Sequence, residues 1–169
     1  PGAITARFID SAYAPNPSVG DQINVSSNGG STSFSAQLVS LTTSIDAVND
    51  APIASGSPSL ASVSEDNTDP SGESVSTLFA SSFSDTDSDT LKAVAITANT
   101  ADSVAEGSWQ YSADSGSSWT SIPTSGLSES AALYLNSSTL IRFLPVADFN
   151  GTPGAITARF IDSAYAPNP

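Results

Sequence analysis

The sequence PGAITARFIDSAYAPNP occurs twice in this chain and is identical at every position. The first copy fills residues 1–17 and the second fills residues 153–169, so the two begin 152 residues apart. That offset is too long for a solenoid repeat of roughly 20–50 residues, and it is the size of a whole domain. We therefore interpret the chain as one period of a tandem array with an overlap, and we expect the chain ends to differ from the domain ends.

Short stretches of alternating or β-branched residues, separated by turn residues, run through the chain. This pattern predicts strands, and their spacing of roughly ten residues is typical of an all-β antiparallel sandwich. Residues 75–83 fit either a strand or one short helical turn. The predicted strands are 3–9, 22–25, 32–45, 58–64, 91–98, 108–112, 118–122, 131–135, 139–144 and 155–161.

The composition excludes several classes of function. With 17 acidic and 4 basic residues the formal net charge is -13, which leaves no basic footprint for nucleic acid and no polybasic patch for a membrane surface. No run of 18 apolar residues is present, so we expect no membrane insertion. The chain has no His and no Cys, which excludes Ser-His-Asp and Cys-His catalysis. Carboxylate pairs for glycoside hydrolysis remain open, but no spacing singles one out, and we do not expect an enzyme.

The densest chemical feature is the acidic stretch FSDTDSDTL at residues 83–91. Asp85, Asp87 and Asp89 alternate there, and without a counterion the three carboxylates repel one another. This stretch supplies only oxygen ligands, so Ca²⁺ fits better than zinc or copper. The stretch is not an EF-hand, because Thr90 and Ile96 stand where that loop has Gly and Glu. A solvated acidic turn without an ion is the alternative.

Two other acidic groups lie where they could complete a cation shell. Asn49 and Asp50 belong to DAVNDAP at residues 46–52, which reads as a linker ending in proline. Glu65, Asp66, Asn67 and Asp69 form the second group. A cation held jointly by the linker and by loops 65–69 and 85–89 would stiffen the junction.

The stretch SADSGSSW at residues 112–119 matches the Asp-box hairpin S-x-D-x-G-x-x-W. We interpret it as a folding device, in which Asp114 caps the turn, Gly116 takes positive φ and Trp119 packs beneath. The aromatic residues Trp109, Tyr111 and Trp119 could form a platform for a sugar, although core packing is the more common use of such side chains.

These motifs together resemble the cadherin-like, immunoglobulin-like repeats of giant bacterial surface adhesins, including the repeats-in-toxin and biofilm-associated types. The resemblance rests on DAVNDAP, SEDN at 64–67, the acidic stretch, WQYSADSGSSW at 109–119 and RFLPVADFNGT at 142–152. It implies an Ig-like or cadherin-like sandwich that is secreted to the bacterial cell surface. It also implies Ca²⁺ ligands at Asp50, Glu65, Asp85, Asp87 and Asp89.

In such repeats N-D-A-P opens a domain, which sets the expected domain organisation. Residues 1–49 would be the C-terminal strands of one repeat, and residues 50–169 the N-terminal and central strands of the next. A sandwich short of its last strands has open edges. Segment 18–45 of the same chain or of a neighbour could fill them, so that one sandwich closes by permutation or by strand swapping while one 17-residue copy pairs elsewhere.

The sequence thus predicts a calcium-rigidified structural spacer, or extender, that projects a distal adhesive region. Its expected partners are neighbouring identical repeats. The alternative is a ligand-binding adhesive module that recognises carbohydrate or peptide, and a glycosidase with two facing carboxylates is a more distant third.

Overall fold

The structure is a computed structural model that describes residues 2–14 and 16–166. The chain divides into two compact units, Pro1–Val48 and Asn49–Pro169.

The first unit is a small antiparallel hairpin. Strand β1 (Ile4–Ala6) pairs with β2 (Val39–Leu41), and an isolated bridge joins Ile9 to Phe34. Phe34 is the unit's buried hydrophobic residue within the described part, and its ring lies 4.8 Å from that of Tyr13. A two-stranded hairpin with so little buried apolar surface is marginally stable in water.

The second unit is an antiparallel, sandwich-like arrangement of short strands with one helical turn, α1 (Val75–Phe79). The strands are β3 (Ile53–Ala54), β4 (Glu73–Ser74), β5 (Phe83–Ser84), β6 (Leu91–Asn99), β7 (Gly107–Ser112), β8 (Thr120–Ser121), β9 (Leu133–Asn136), β10 (Leu140–Pro145) and β11 (Ile156–Asp162). They form sheets with the strand orders β4-β10-β7-β8, β11-β6-β9 and β3-β5. The all-β antiparallel fold predicted from the spacing of short strands is therefore confirmed.

One hydrophobic cluster joins the two larger sheets. Val94 and Ile96 of β6, Leu135 of β9 and Ile141 of β10 are buried in it together with Val75 of α1. Alternation along β6 explains the pattern, because residues two apart lie on the same face of a strand. Partly buried side chains of β11 pack against this cluster and complete it on one side.

Several predicted segments differ from the structure. Residues 22–25 and 58–64 were predicted as strands but form none, because no described strand pairs with them. Within 32–45 only Val39–Leu41 forms a strand, and Phe34 makes an isolated bridge. Within 75–83 the helical alternative is correct for Val75–Phe79. The Ser74 hydroxyl accepts a hydrogen bond from the Thr77 backbone N–H at 3.2 Å, which caps the helix and starts it at this point.

The two copies of the 17-residue sequence lie in different environments. In the second copy Phe160 of β11 makes edge-to-face contacts with Phe79 and Phe83, at ring distances of 5.6 and 5.7 Å. In the first copy the corresponding Phe8 is 67% exposed. Identical residues therefore contribute to the core of the second unit and lie at the surface of the first.

Gly154 and its counterpart Gly2 in the first copy also differ in their surroundings. A Cβ atom at Gly154 would clash with the backbone oxygen of Thr100, whereas a Cβ at Gly2 would meet nothing within 4 Å. We expect Gly154→Ala to destabilise the second unit by about 1–3 kcal/mol, the usual cost of overpacking, and Gly2→Ala to leave it unchanged. Urea unfolding followed by tryptophan fluorescence measures both; equal midpoints would contradict the assigned packing of Gly154.

Candidate metal centre

Three carboxylates meet in the loop between β5 and β6. Asp85, Asp87 and Asp89 each place one carboxylate oxygen within 4.8 Å of the others. Like charges at such distances repel, and the repulsion is strongest where the side chains are withdrawn from water. Asp85 and Asp89 are half-buried, while Asp87 is exposed. The structure thus brings together the three alternating acids that the sequence singled out.

Local hydrogen bonds give the loop its shape. Asp85 Oδ1 accepts from the backbone N–H groups of Asp87 and Asp89, at 2.8 and 3.2 Å. A short acidic side chain that binds its own backbone two residues on forms the turn characteristic of Asp and Asn. Ser88 lies in the same turn and has a φ of 67°, in the left-handed region. The alternating sequence therefore turns its carboxylates toward a common point.

The second oxygen of Asp85 is the feature of the loop that most favours a ligand. Asp85 Oδ2 is buried and has no hydrogen-bond partner among the described residues. A buried charged oxygen without a partner is costly, and its neighbours Asp87 and Asp89 add negative charge rather than hydrogen-bond donors. All ligands in the group are oxygens, as Ca²⁺ prefers. The residues present therefore fit a hard divalent cation.

Two contacts hold the acidic loop from outside. The backbone N–H of Asp50 donates to Asp87 Oδ2 at 2.6 Å. On the other side the Ser163 hydroxyl donates to Asp89 Oδ1 and accepts from the Thr90 backbone N–H at 3.2 Å. The loop is thus fixed between the first residues of the second unit and the second copy of the 17-residue sequence.

The structure does not bring Glu65 into this group of carboxylates. Glu65 is exposed and lines a cleft of about 680 Å³ whose walls include Trp109, Phe143 and Phe149. Asp50, in turn, contributes its backbone N–H to the loop. A metal-ligand role for Glu65 or for the Asp50 carboxylate remains a prediction.

Sequence reasoning missed two residues beside the acidic loop, Asp162 and Ser163. Asp162 is a buried carboxylate, 6% exposed, whose Oδ1 accepts from the Tyr165 backbone N–H at 3.0 Å. It lines, with Asn49, a cavity of about 210 Å³. Both residues belong to the duplicated sequence, and no local pattern distinguishes them, since their role depends on where β11 ends in the fold.

The Asp-box hairpin between β7 and β8 is built as the sequence predicts. Asp114 accepts hydrogen bonds from the Ser118 hydroxyl at 2.6 Å, the Ser112 hydroxyl at 2.7 Å and the Ser118 backbone N–H at 2.9 Å. Gly116 has a φ of 91°, and a Cβ there would lie 3.8 Å from the Trp119 ring. Asp114 therefore serves the turn itself.

These hydrogen bonds predict a pH dependence. Those from the Ser118 hydroxyl, the Ser112 hydroxyl and the Ser118 N–H lower the pKa of Asp114 from 3.8 to about 2. Because the folded-state pKa lies below the ordinary value, ionised Asp114 stabilises the fold fully above about pH 4, and this contribution is lost as the pH falls toward 2. The melting temperature of Asp114→Asn should therefore approach that of the wild type between pH 4 and pH 2. A deficit that stays constant to pH 2 would contradict this role.

The two tryptophans are engaged in internal contacts. The Trp109 indole N–H donates to the Gly154 carbonyl oxygen at 2.7 Å, and its ring meets Phe143 edge-on at 5.2 Å. The Arg142 guanidinium lies over the Trp119 ring, 3.9 Å from its centroid. Both side chains are half-buried, as predicted for residues that pack rather than form an open platform.

Comparison of the chain with protein-family models, with curated proteins and with solved structures finds no match in any of the three. Within residues 2–14 and 16–166, no helix is long and apolar enough to cross a membrane.

Proposed function

We propose that this chain is a calcium-rigidified structural spacer repeat of a large bacterial cell-surface adhesin, in which it projects a distal adhesive region into the extracellular medium. The observation that carries the proposal is the convergence of Asp85, Asp87 and Asp89, with the buried and unpartnered Oδ2 of Asp85 among them. The exact repetition of seventeen residues at a domain-sized offset supports the tandem arrangement.

The mechanism is mechanical and involves no reaction. Calcium would bind the carboxylates of Asp85, Asp87 and Asp89 and relieve their mutual repulsion. The Asp50 N–H and the Ser163 hydroxyl already bond two of these side chains. The ion would therefore stiffen a loop that is tied both to the start of the second unit and to its last strand. Stiffening such an element restricts bending between successive repeats.

Calcium titration calorimetry tests the proposed site directly. We expect the wild-type chain to bind calcium and Asp85→Asn to bind it at least roughly tenfold more weakly, because calcium affinity depends on the number of charged ligands. Asp102→Asn is the matched control: Asp102 is exposed and its Oδ1 accepts from the backbone N–H groups of Val104 and Ala105, an acceptor role that an Asn amide oxygen can keep. No heat of binding in the wild type, or equal affinities in the two variants, would reject the site.

The alternative is a ligand-binding adhesive module that uses the cleft beside Trp109. Its volume of about 680 Å³ is adequate for a small ligand. However, the Trp109 N–H already donates to Gly154 and the Trp119 face is covered by Arg142. The donor of one indole and a face of the other are thus engaged in internal contacts, and the spacer is therefore the better-supported function.

A further inference from the structure

The two copies of the 17-residue sequence use opposite edges of the same strand. In the second copy, Ala155 O accepts from the Thr100 backbone N–H at 2.9 Å, and Thr157 O accepts from the Thr97 hydroxyl at 3.4 Å. Residues 155 and 157 therefore face β6. Because backbone groups alternate in direction along a strand, those of Ile156, Ala158 and Phe160 face the other edge of β11. In the described sheet order that edge has no partner strand.

In the first copy, pairing uses the other set of alternating residues, the set equivalent to the one on the outer edge of β11. Phe8 O, which corresponds to Phe160 O, accepts from the Ser35 N–H at 3.0 Å, and the Asp10 N–H donates to Ser33 O at 3.0 Å. Pairing resumes between β1 and β2 in a register shifted by two residues, since Ile9 is opposite Phe34 but Ile4 is opposite Leu41. The Phe8 carbonyl that binds Ser35 in the first copy thus corresponds to the Phe160 carbonyl on the outer edge of β11 in the second.

The side chains of β2 match the apolar face of β11. Leu41 is opposite Ile4, and Val39 is opposite Ala6. Directly opposite residues of an antiparallel pair share a face of the sheet. The counterparts Ile156 and Ala158 pack against the core of the second unit. A strand in this register on β11 would therefore bring Leu41, now 70% exposed, and Val39 to that core.

We propose that the outer edge of β11 is the acceptor for a second copy of segment Ser33–Leu41, supplied by the next copy of this chain. The register follows from the first unit: Leu41 opposite Ile156, Ser40 opposite Thr157 and Val39 opposite Ala158. An unpaired edge is the part of a sheet that accepts an added strand. The proposal rests on the proposed tandem-repeat function. It implies that successive copies are joined by pairing between β-strands.

Hydrogen exchange on an extended chain tests the proposal. A second copy of residues 18–48 is joined after Pro169, and Thr5→Ser marks the first 17-residue copy so that peptides from the two copies differ in mass. We expect amide exchange across residues 156–160 to slow by roughly tenfold or more relative to the 169-residue chain, because newly paired edge amides become protected. The matched control carries Val39→Asn and Leu41→Asn in the added segment only, and this protection should be lost there.

Equal exchange rates with and without the added segment would overturn the proposal, and equal protection by the control segment would overturn the register. Each measurement is made in saturating calcium and again in chelator. Protection of β11 that persists in both solutions while no calcium binds would reject the calcium site alone. Calcium binding without protection would reject the strand pairing alone.

Discussion

Replacing Phe160 with Ala is expected to destabilise the second unit by about 3 kcal/mol, at the low end for Phe→Ala changes because the ring is half-buried. The ring contacts Phe79 and Phe83 edge-to-face, so the loss includes these aromatic contacts as well as a cavity beside the cluster. For a unit of this size the melting temperature should fall by roughly 10 °C. Trp109 and Trp119, the chain's tryptophans, both lie in the second unit, so their fluorescence reports its unfolding.

Phe8→Ala is the matched control for this substitution. Its sequence context is identical over the duplicated residues, but the side chain is exposed in the first unit. We expect its effect on tryptophan-detected unfolding to stay within about 0.5 kcal/mol, as for ordinary surface substitutions. Equal losses for the two variants would show that the first copy, and not only the second, packs in the core.

Much of the fold follows from local sequence patterns. The stretch LKAVAITA predicted β6 because its β-branched residues repeat every second position, and the structure buries Val94 and Ile96. The hairpin from Ser112 to Trp119 could be predicted in detail, because a turn of this kind depends on residues within eight positions of one another.

Pairing between distant segments could not be predicted in the same way. The strand expected at 58–64 does not form, although its composition permits one, because a strand requires a partner and no local signal says which is available. The two copies of the 17-residue sequence make the same point. Phe8 and Phe160 have identical neighbours in sequence, and only tertiary contacts expose one and partly bury the other.

The candidate site likewise has a local part that the sequence predicts and a part formed by distant segments that it does not predict. The convergence of Asp85, Asp87 and Asp89 is local, since the turn hydrogen bonds of Asp85 create it, and alternation of the acids was enough to predict it. The contacts from Asp50 and Ser163 join segments far apart in the chain. Ser163 carried no signal of its own, because a single serine at the end of a strand has no recognisable pattern.

Removal of calcium is expected to have the other large effect. A ligand that binds only the folded state stabilises it by RT ln(1 + [L]/Kd), which is about 2.7 kcal/mol when free calcium exceeds Kd a hundredfold. For a unit of this size that corresponds to a rise of roughly 10 °C in melting temperature. The rise has a physical origin in the acidic loop, because the ion replaces repulsion among three carboxylates with attraction to each of them.

Thermal unfolding in calcium and in chelator, followed by tryptophan fluorescence, tests directly whether calcium stabilises the second unit. Magnesium at the same concentration controls for general screening of the net charge of -13. We expect a large rise in melting temperature with calcium, a much smaller one with magnesium, loss of the calcium effect in Asp85→Asn and its retention in Asp102→Asn. A wild-type melting temperature that is the same in calcium and in chelator would rule out stabilisation by calcium.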